Sequence, residues 1–230
     1  AGGPDAVQVA PGVVGTVEDV IAGRSGPALI LRVDASSAWR TAAAPYRVRI
    51  ATVEDAVRLG ADAVVAYLLT GYPDESHEGQ NLADIGALAS ECRRWGMPLV
   101  VEPLHIAPGR RVPDDPAVTA LLVRMACEAG ADLIKADYTG SPDTFAPIVR
   151  ASTAPVLVRG GPKMDTPEQV LRVVADALAA GARGVIFGRN IWQHADPAGM
   201  VRALRRIVHE GHSPDQALAE AVPGPRTIGP

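Results

Sequence analysis

Lys135 stands in the run Leu133-Ile134-Lys135-Ala136-Asp137-Tyr138, where its neighbours are mostly apolar and the pattern reads as a buried strand. Strand side chains alternate with a period of two, so Leu133, Lys135 and Asp137 share one face. A lysine on an inward face is costly unless it is neutral, paired or used. Desolvation lowers the proton affinity of an amine, and a free amine attacks carbonyl carbons. An ion pair between Lys135 and Asp137, or an ammonium carried to the rim on its aliphatic stem, would account for the same pattern. Nucleophile, ion pair and rim residue stay open on spacing alone.

Two glycine-bearing stretches offer a place for an anion. Arg159-Gly160-Gly161-Pro162-Lys163 follows the apolar strand Ala154–Val158, and Gly188-Arg189-Asn190 follows the strand Gly184–Phe187. Paired glycines let backbone N–H groups approach an anion, and Arg159, Lys163 and Arg189 add positive charge. A turn explains either stretch taken singly. Both together, on the last two strands of a strand–helix repeat, point to phosphate, because α/β barrels often bind it at those loops.

The same parity rule collects further inward candidates. Ile30, Arg32 and Asp34 share a face, as do Val100, Glu102 and Leu104. Arg32, Asp34, Glu102 and Asp137 are therefore expected to line one cavity with Lys135, with mutual ion pairing as the competing explanation. Glu102 beside apolar Val100 and Leu104 is expected to hold its proton more tightly than an ordinary carboxyl group. His105 opens the following loop and is a candidate acid–base group at the mouth. His209 and His212 close the last helical pattern with no third ligand nearby, so no metal is expected. Trp39, Trp95 and Trp192 read as packing or interface residues.

The elements that position these residues come from a weak internal repeat: an amphipathic helix, a glycine with a small residue, then an apolar strand. Gly60-Ala61-Asp62 precedes one strand, Gly130-Ala131-Asp132 another and Gly181-Ala182-Arg183 a third; Gly96-Met97-Pro98 is a looser copy. The glycine suits the left-handed position after a helix, and a continuous apolar run suits a parallel strand covered by helices. Strands are expected near 5–10, 29–34, 62–69, 98–104, 132–138, 154–160 and 183–188. Helices are expected near 16–23, 52–60, 80–96, 116–130, 142–151, 167–181 and 197–209. Segments 35–50 and 105–115 break the rhythm and read as long loops on the catalytic face. The alternation predicts one domain over 1–220, an α/β (β/α)8 TIM barrel whose first strand precedes Ala1, followed by a flexible tail over 221–230. An open Rossmann-like sheet is the competing architecture, but no G-x-G-x-x-G follows the first strand.

Composition sets limits without naming a substrate. The 230 residues carry 22 basic and 26 acidic side chains, with no basic tract to suggest nucleic acid. Aromatics make up 4% against 47% hydrophobic residues, so aliphatic side chains must fill the core. No apolar run is long enough to cross a bilayer. Cys92 and Cys127 read as reduced, packed thiols. A cytoplasmic homo-oligomer with a small-molecule substrate, no cofactor, and neither a nucleic acid nor a membrane partner is expected.

Taken together, IKADYTG, VRGGPK and IFGRNIWQ resemble the archaeal-type class I fructose-bisphosphate aldolases, a family of Schiff-base barrels. The resemblance runs from about residue 5 to about residue 210, and the order and spacing of the motifs carry it. It implies that Lys135 forms the Schiff base and that Gly160, Gly161, Gly188 and Arg189 hold a substrate phosphate. The family's first strand bears an active-site aspartate. Asp34 aligns with a later strand and does not inherit that role. Leu104 stands where the family has a catalytic tyrosine, and Glu102 where it often has tryptophan. Proton transfer would then fall to Glu102, His105, Asp137 or water. The resemblance implies a class I aldolase or aldol-type synthase acting on a phosphorylated ketose or dihydroxyacetone phosphate. The alternatives are a synthase of an aminated seven-carbon sugar or aminobenzoate precursor, and a non-catalytic phosphosugar binder.

Overall fold

A computed structural model describes residues 2–23, 25–37, 46–107, 110–111 and 115–221. Among them run β1 (Ala6–Val9), β2 (Ala28–Arg32), β3 (Asp34–Ser36), β4 (Arg47–Arg49), β5 (Ala63–Thr70), β6 (Leu99–Ala107), β7 (Arg110–Arg111), β8 (Leu133–Ala136), β9 (Val156–Arg159) and β10 (Val185–Ile186). Seven of these form a parallel sheet in the order β1-β2-β5-β6-β8-β9-β10. Their spatial order is their chain order, which argues for successive strand–helix units winding in one direction and against a doubly wound open sheet.

The sheet curls. β1 and β8 are four strand steps apart, which in a flat sheet would separate them by about 19 Å at the usual spacing. Yet Gln8 on β1 and Lys135 on β8 are hydrogen-bonded at 3.1 Å. Ile30, Ala63, Val65, Val100, Leu133 and Ile186, drawn from five strands, also converge in one apolar cluster on the concave face. The opposite parity, including Leu31, Val64, Leu99, Ile134 and Val156, packs outward with Ile85, Leu88 and Phe145 of the surrounding helices. The alternation written into each strand thus separates a helix-covered core from a barrel interior, the arrangement of a TIM barrel with seven strands among the described residues.

Helices Val53–Arg58, Glu75–Trp95, Pro116–Glu128, Pro142–Ala151, Pro167–Ala179 and Pro197–Glu210 follow their strands in turn. The sequence places the second of these near 80–96, but Asp74 accepts a hydrogen bond from the Ser76 backbone and starts it at Glu75. The expected helix near 16–23 is a 3-10 turn over Pro11–Thr16 followed by the short helix Glu18–Ile21.

The repeat motif fixes strand register at the starts of the strands. The Asp62 carboxylate accepts from the Leu29 N–H at 2.8 Å, while the Asp62 N–H donates to the Leu29 carbonyl at 2.8 Å. Asp132 makes the same double clasp on Leu99, at 2.8 Å and 2.9 Å. Arg183 keeps the backbone half alone, donating to Val156 at 2.9 Å.

The long loops are partly structured. β3 and β4 form an antiparallel hairpin at the ends of segment 35–50, and β7 folds back on the end of β6 within segment 105–115. Trp39 lies outside the described residues. Ala221, expected to begin the tail, instead closes the helix Pro214–Ala221 and is buried; 222–230 lie outside the described residues.

Candidate active site

The charged residues that parity placed inward meet inside the barrel. Arg32, Asp34, Glu102, Lys135 and Arg159 are each less than a tenth exposed. Lys135 sits midway along β8, with its Nζ 3.1 Å from the Glu102 carboxylate on β6 and 3.1 Å from the Gln8 amide oxygen on β1. Arg32, at the end of β2, donates to the same Glu102 oxygen and to Asp34 at 3.2 Å. Its guanidinium lies 3.8 Å from the centroid of the Tyr67 ring, so a cation–π contact holds it flat. Arg159, at the end of β9, meets Asp137 at 3.1 Å and Glu102 at 3.9 Å.

Of the pairings left open by the sequence, Lys135 is in ion-pair contact with Glu102, while Asp137, just past the end of β8, is paired with Arg159.

The electrostatics follow from burial and these contacts. Burial pushes the Lys135 ammonium down, Glu102 opposes the fall and Arg32 adds to it; the net proton affinity is below that of an ordinary lysine. Burial pushes the Glu102 carboxyl up, but Lys135 and then Arg32 outweigh it and hold the group below its ordinary value. This reverses the expectation for Glu102, which considered only its apolar strand neighbours and not the cations facing it from other strands. Glu102 is therefore ionised at neutral pH, a fixed negative charge beside the Lys135 nitrogen.

Asp34 is buried and fully engaged. It bonds Arg32, Arg47 at 2.7 Å and the Tyr67 N–H at 2.7 Å, anchoring the β3–β4 hairpin to the barrel. Arg47 continues outward to Asp84 at 3.4 Å. His105 occupies the opposite parity of β6 from Glu102 and bonds Thr70 at 2.9 Å, so it faces away from the Lys135 cluster. Leu104 packs with Leu69, Tyr72 and Ile106 on the inward side.

The two glycine loops are adjacent because β9 and β10 pair in parallel. Arg189 is exposed and donates to the Gly161 carbonyl at 2.7 Å. Asn190, buried, donates to the carbonyls of Gly160 at 2.8 Å and Pro162 at 3.1 Å and accepts from the Met164 N–H at 2.8 Å. Gly188 packs under the Trp192 ring, whose edge would lie 2.4 Å from a Cβ at that position. Lys163 donates to the Gln193 carbonyl at 3.0 Å and so faces the loop after β10. Among the described residues no cluster of three or more His, Cys, Asp or Glu could hold a metal ion.

Gln8 and Tyr67 escaped the sequence reading, and Asn190 entered it only as part of a glycine stretch, with no role of its own. Gln8 had a signal, as the one polar residue in the apolar strand Ala6–Val9 at inward parity. Tyr67 gave none, because its role under Arg32 depends on two strands packed side by side.

A curled parallel barrel with a buried lysine–carboxylate pair inside and glycine loops on its last strands is an arrangement suited to Schiff-base chemistry on a carbonyl compound. The DeoC/LacD family aldolase model matches residues 1–194, and the chain belongs to that family. An uncharacterized aldolase of Saccharolobus solfataricus is 40% identical over 223 residues, 94% of this chain and 81% of the relative. A 2-amino-3,7-dideoxy-D-threo-hept-6-ulosonate synthase of Halobacterium salinarum is 36% identical over 221 residues, 96% of this chain and 80% of the relative. An archaeal fructose-1,6-bisphosphate aldolase, solved with its catalytic lysine covalently bound to the carbinolamine intermediate, superposes with a TM-score of 0.80 at 32% identity. That match covers 90% of this chain and 79% of the solved one. The protein is thus an enzyme of carbon–carbon bond cleavage or formation on the Schiff-base aldolase scaffold. No helix among the described residues is long and apolar enough to cross a membrane.

Proposed function

We propose that Lys135 is the Schiff-base nucleophile of a class I aldolase or aldol-type synthase acting on a phosphorylated ketose or dihydroxyacetone phosphate. The observation that carries this reading is the buried Lys135–Glu102 pair, in which burial lowers the proton affinity of the amine and a carboxylate lies 3.1 Å away. The Lys135 amine adds to the ketone carbon, and the carbonyl π electrons move to oxygen. Glu102 takes a proton from the nitrogen and delivers it to that oxygen, giving the neutral carbinolamine. Loss of hydroxide, which takes up a proton as water, leaves the protonated iminium. In cleavage a base removes the proton of the β-hydroxyl, the carbon–carbon bond pair flows into the iminium, and an aldehyde and an enamine result. Synthesis is the reverse. Asp137, held by Arg159, is the other acid–base candidate in the cluster, whereas His105, bonded to Thr70 on the opposite face of β6, stands outside it.

Gly160, Gly161, Gly188 and Arg189 are assigned to the substrate phosphate, with Arg159 beside them. Arg32 and Asp34 are assigned to the cavity wall and its charge balance. A specialised synthase of an aminated seven-carbon sugar is the second reading. It is favoured by the ionised Glu102 and the apolar Leu104 at positions where the resemblance expects tryptophan and tyrosine, and by the Halobacterium relative. Two unpaired cysteines suit a reducing, cytoplasmic setting, and exposed Trp95 and Trp192 suit a homo-oligomer.

The test is borohydride reduction in the presence of dihydroxyacetone phosphate, followed by mass measurement of the intact chain and of the Lys135 peptide. A covalent adduct on Lys135 is expected. An unchanged mass, or an adduct on another lysine, overturns the assignment.

A further inference from the structure

We infer that Gln8 is a positioning residue for the reaction, aiming the lone pair of the Lys135 amine into the cavity. This rests on the reading of Lys135 as the nucleophile. A neutral primary amine has two N–H bonds and one lone pair in tetrahedral arrangement. Glu102 on β6 and Gln8 on β1 each lie 3.1 Å from Nζ. They come from different sides of the curled sheet, with β2 and β5 between them. With both N–H bonds committed to these two acceptors, the lone pair has one direction left, away from both.

The orientation of the Gln8 amide follows from the partner. Lysine nitrogen donates, so Gln8 must present its oxygen, and its NH2 group is turned elsewhere. Val7 and Val9 flank Gln8 and pack into the outer core, which fixes the strand and leaves the glutamine side chain pointing inward. Once the imine forms, the nitrogen retains a single N–H. Only one acceptor is then needed, and the anionic Glu102 outcompetes the neutral Gln8 for it. Gln8 therefore acts on the free amine and releases the iminium, which is the sense required to favour attack without trapping the intermediate.

The charged and titratable groups around Lys135 are Glu102 on β6, Arg32 on β2 above the Tyr67 ring of β5, Asp137 following β8 and Arg159 on β9. None of them occupies the β1 side, which Gln8 holds alone among the polar contacts of the amine recorded for the described residues. Gln8→Leu keeps the bulk and removes the acceptor. Gln8→Glu keeps an acceptor in place and adds a negative charge.

The experiment measures the rate of Lys135 trapping by dihydroxyacetone phosphate with a hydride reductant across the pH range that brackets the lysine's titration. It uses the full chain and both variants. An acceptor stabilises ammonium more than amine, so its loss in Gln8→Leu shifts the midpoint of the profile to lower pH. The high-pH plateau nevertheless falls, roughly ten- to a hundredfold, the scale of one hydrogen bond to a charged or reacting group. Gln8→Glu retains most of the plateau and shifts the midpoint to higher pH. More free amine reacting more slowly is a combination that neither a simple pKa effect nor a loss of folding produces. A wild-type plateau and midpoint in Gln8→Leu overturns the role of Gln8. A plateau equally reduced in both variants with unmoved midpoints also overturns it and makes Gln8 structural. Absence of a Lys135 adduct in the parent chain overturns the Schiff-base reading itself, and is seen before either variant is made.

Discussion

Replacing Glu102 by glutamine keeps the side-chain shape and removes the charge at the centre of the ionic cluster. The carboxylate lies 3.1 Å from Lys135 and 3.9 Å from Arg159, and Arg32 is bonded to it directly. At an effective dielectric of about 20, such separations correspond to gross attractions of about 5 and about 4 kcal/mol. Desolvation of the buried carboxylate offsets most of this, and breaking a buried pair from one side typically costs about 3–5 kcal/mol. For a domain of this size each kcal/mol moves the melting point by about 2–4 °C, so a fall on the order of 10 °C at neutral pH is expected. The sign with pH follows from the lowered folded-state proton affinity of Glu102. Its stabilisation is present above the unfolded carboxyl pKa of about 4.3 and is lost as pH falls through the lower folded value, so the difference between parent and variant closes in acid. Turnover should drop by about 10²–10⁴, the reach of general acid–base catalysis. Trapping through Lys135 survives in part, with its profile displaced to lower pH because the amine has lost the anion that favoured its charged form. Thermal melts across pH, steady-state turnover and hydride trapping read the three effects. An unchanged melting point would refute the account of the cluster. Normal turnover with a lowered melting point would confine Glu102 to a structural role.

Other substitutions separate the remaining parts of the site. Lys135→Ala should abolish hydride trapping while leaving phosphate affinity within a fewfold, as read by mass and by titration with inorganic phosphate. Arg189→Ala should raise KM for a phosphorylated substrate by roughly ten- to a hundredfold and far less for the dephosphorylated analogue, in line with one charge-assisted contact; equal losses would make Arg189 structural. Asn190→Ala removes the three hydrogen bonds that tie the loop after β9 to the segment after β10. It should cost about 1–3 kcal/mol in thermal stability and weaken phosphate binding, while Lys135 trapping with dihydroxyacetone, which carries no phosphate, stays near the parent rate.

Period-two reasoning brought Arg32, Glu102 and Lys135 to one face because the apolar residues around them leave a single consistent orientation. Repeat spacing likewise located four of the seven parallel strands, each an apolar run after a helix-ending glycine, and apolar runs alone located the rest. What it missed depends on pairs of strands remote in sequence. Glu102 was expected to hold its proton because Val100 and Leu104 are its visible neighbours, whereas the cations that decide its charge stand on β2 and β8. His105 sits next to the right residues in the chain, yet strand alternation turns it toward Thr70. The clasp of Asp34 on Arg47 spans a hairpin whose pairing no local pattern announces.

Asp62 and Asp132 clasp the starts of neighbouring strands, while Gln8, Arg32, Glu102 and Arg159 meet farther along them. Alignment of the scaffold and tuning of its reactivity are thus assigned to different ends of the same strands. A change at Arg32 or Leu104 leaves the aspartate clasps untouched, and a change at a clasp leaves the chemical groups intact. The two units that begin with Asp62 and Asp132 thus carry their own docking device, separate from the interior groups.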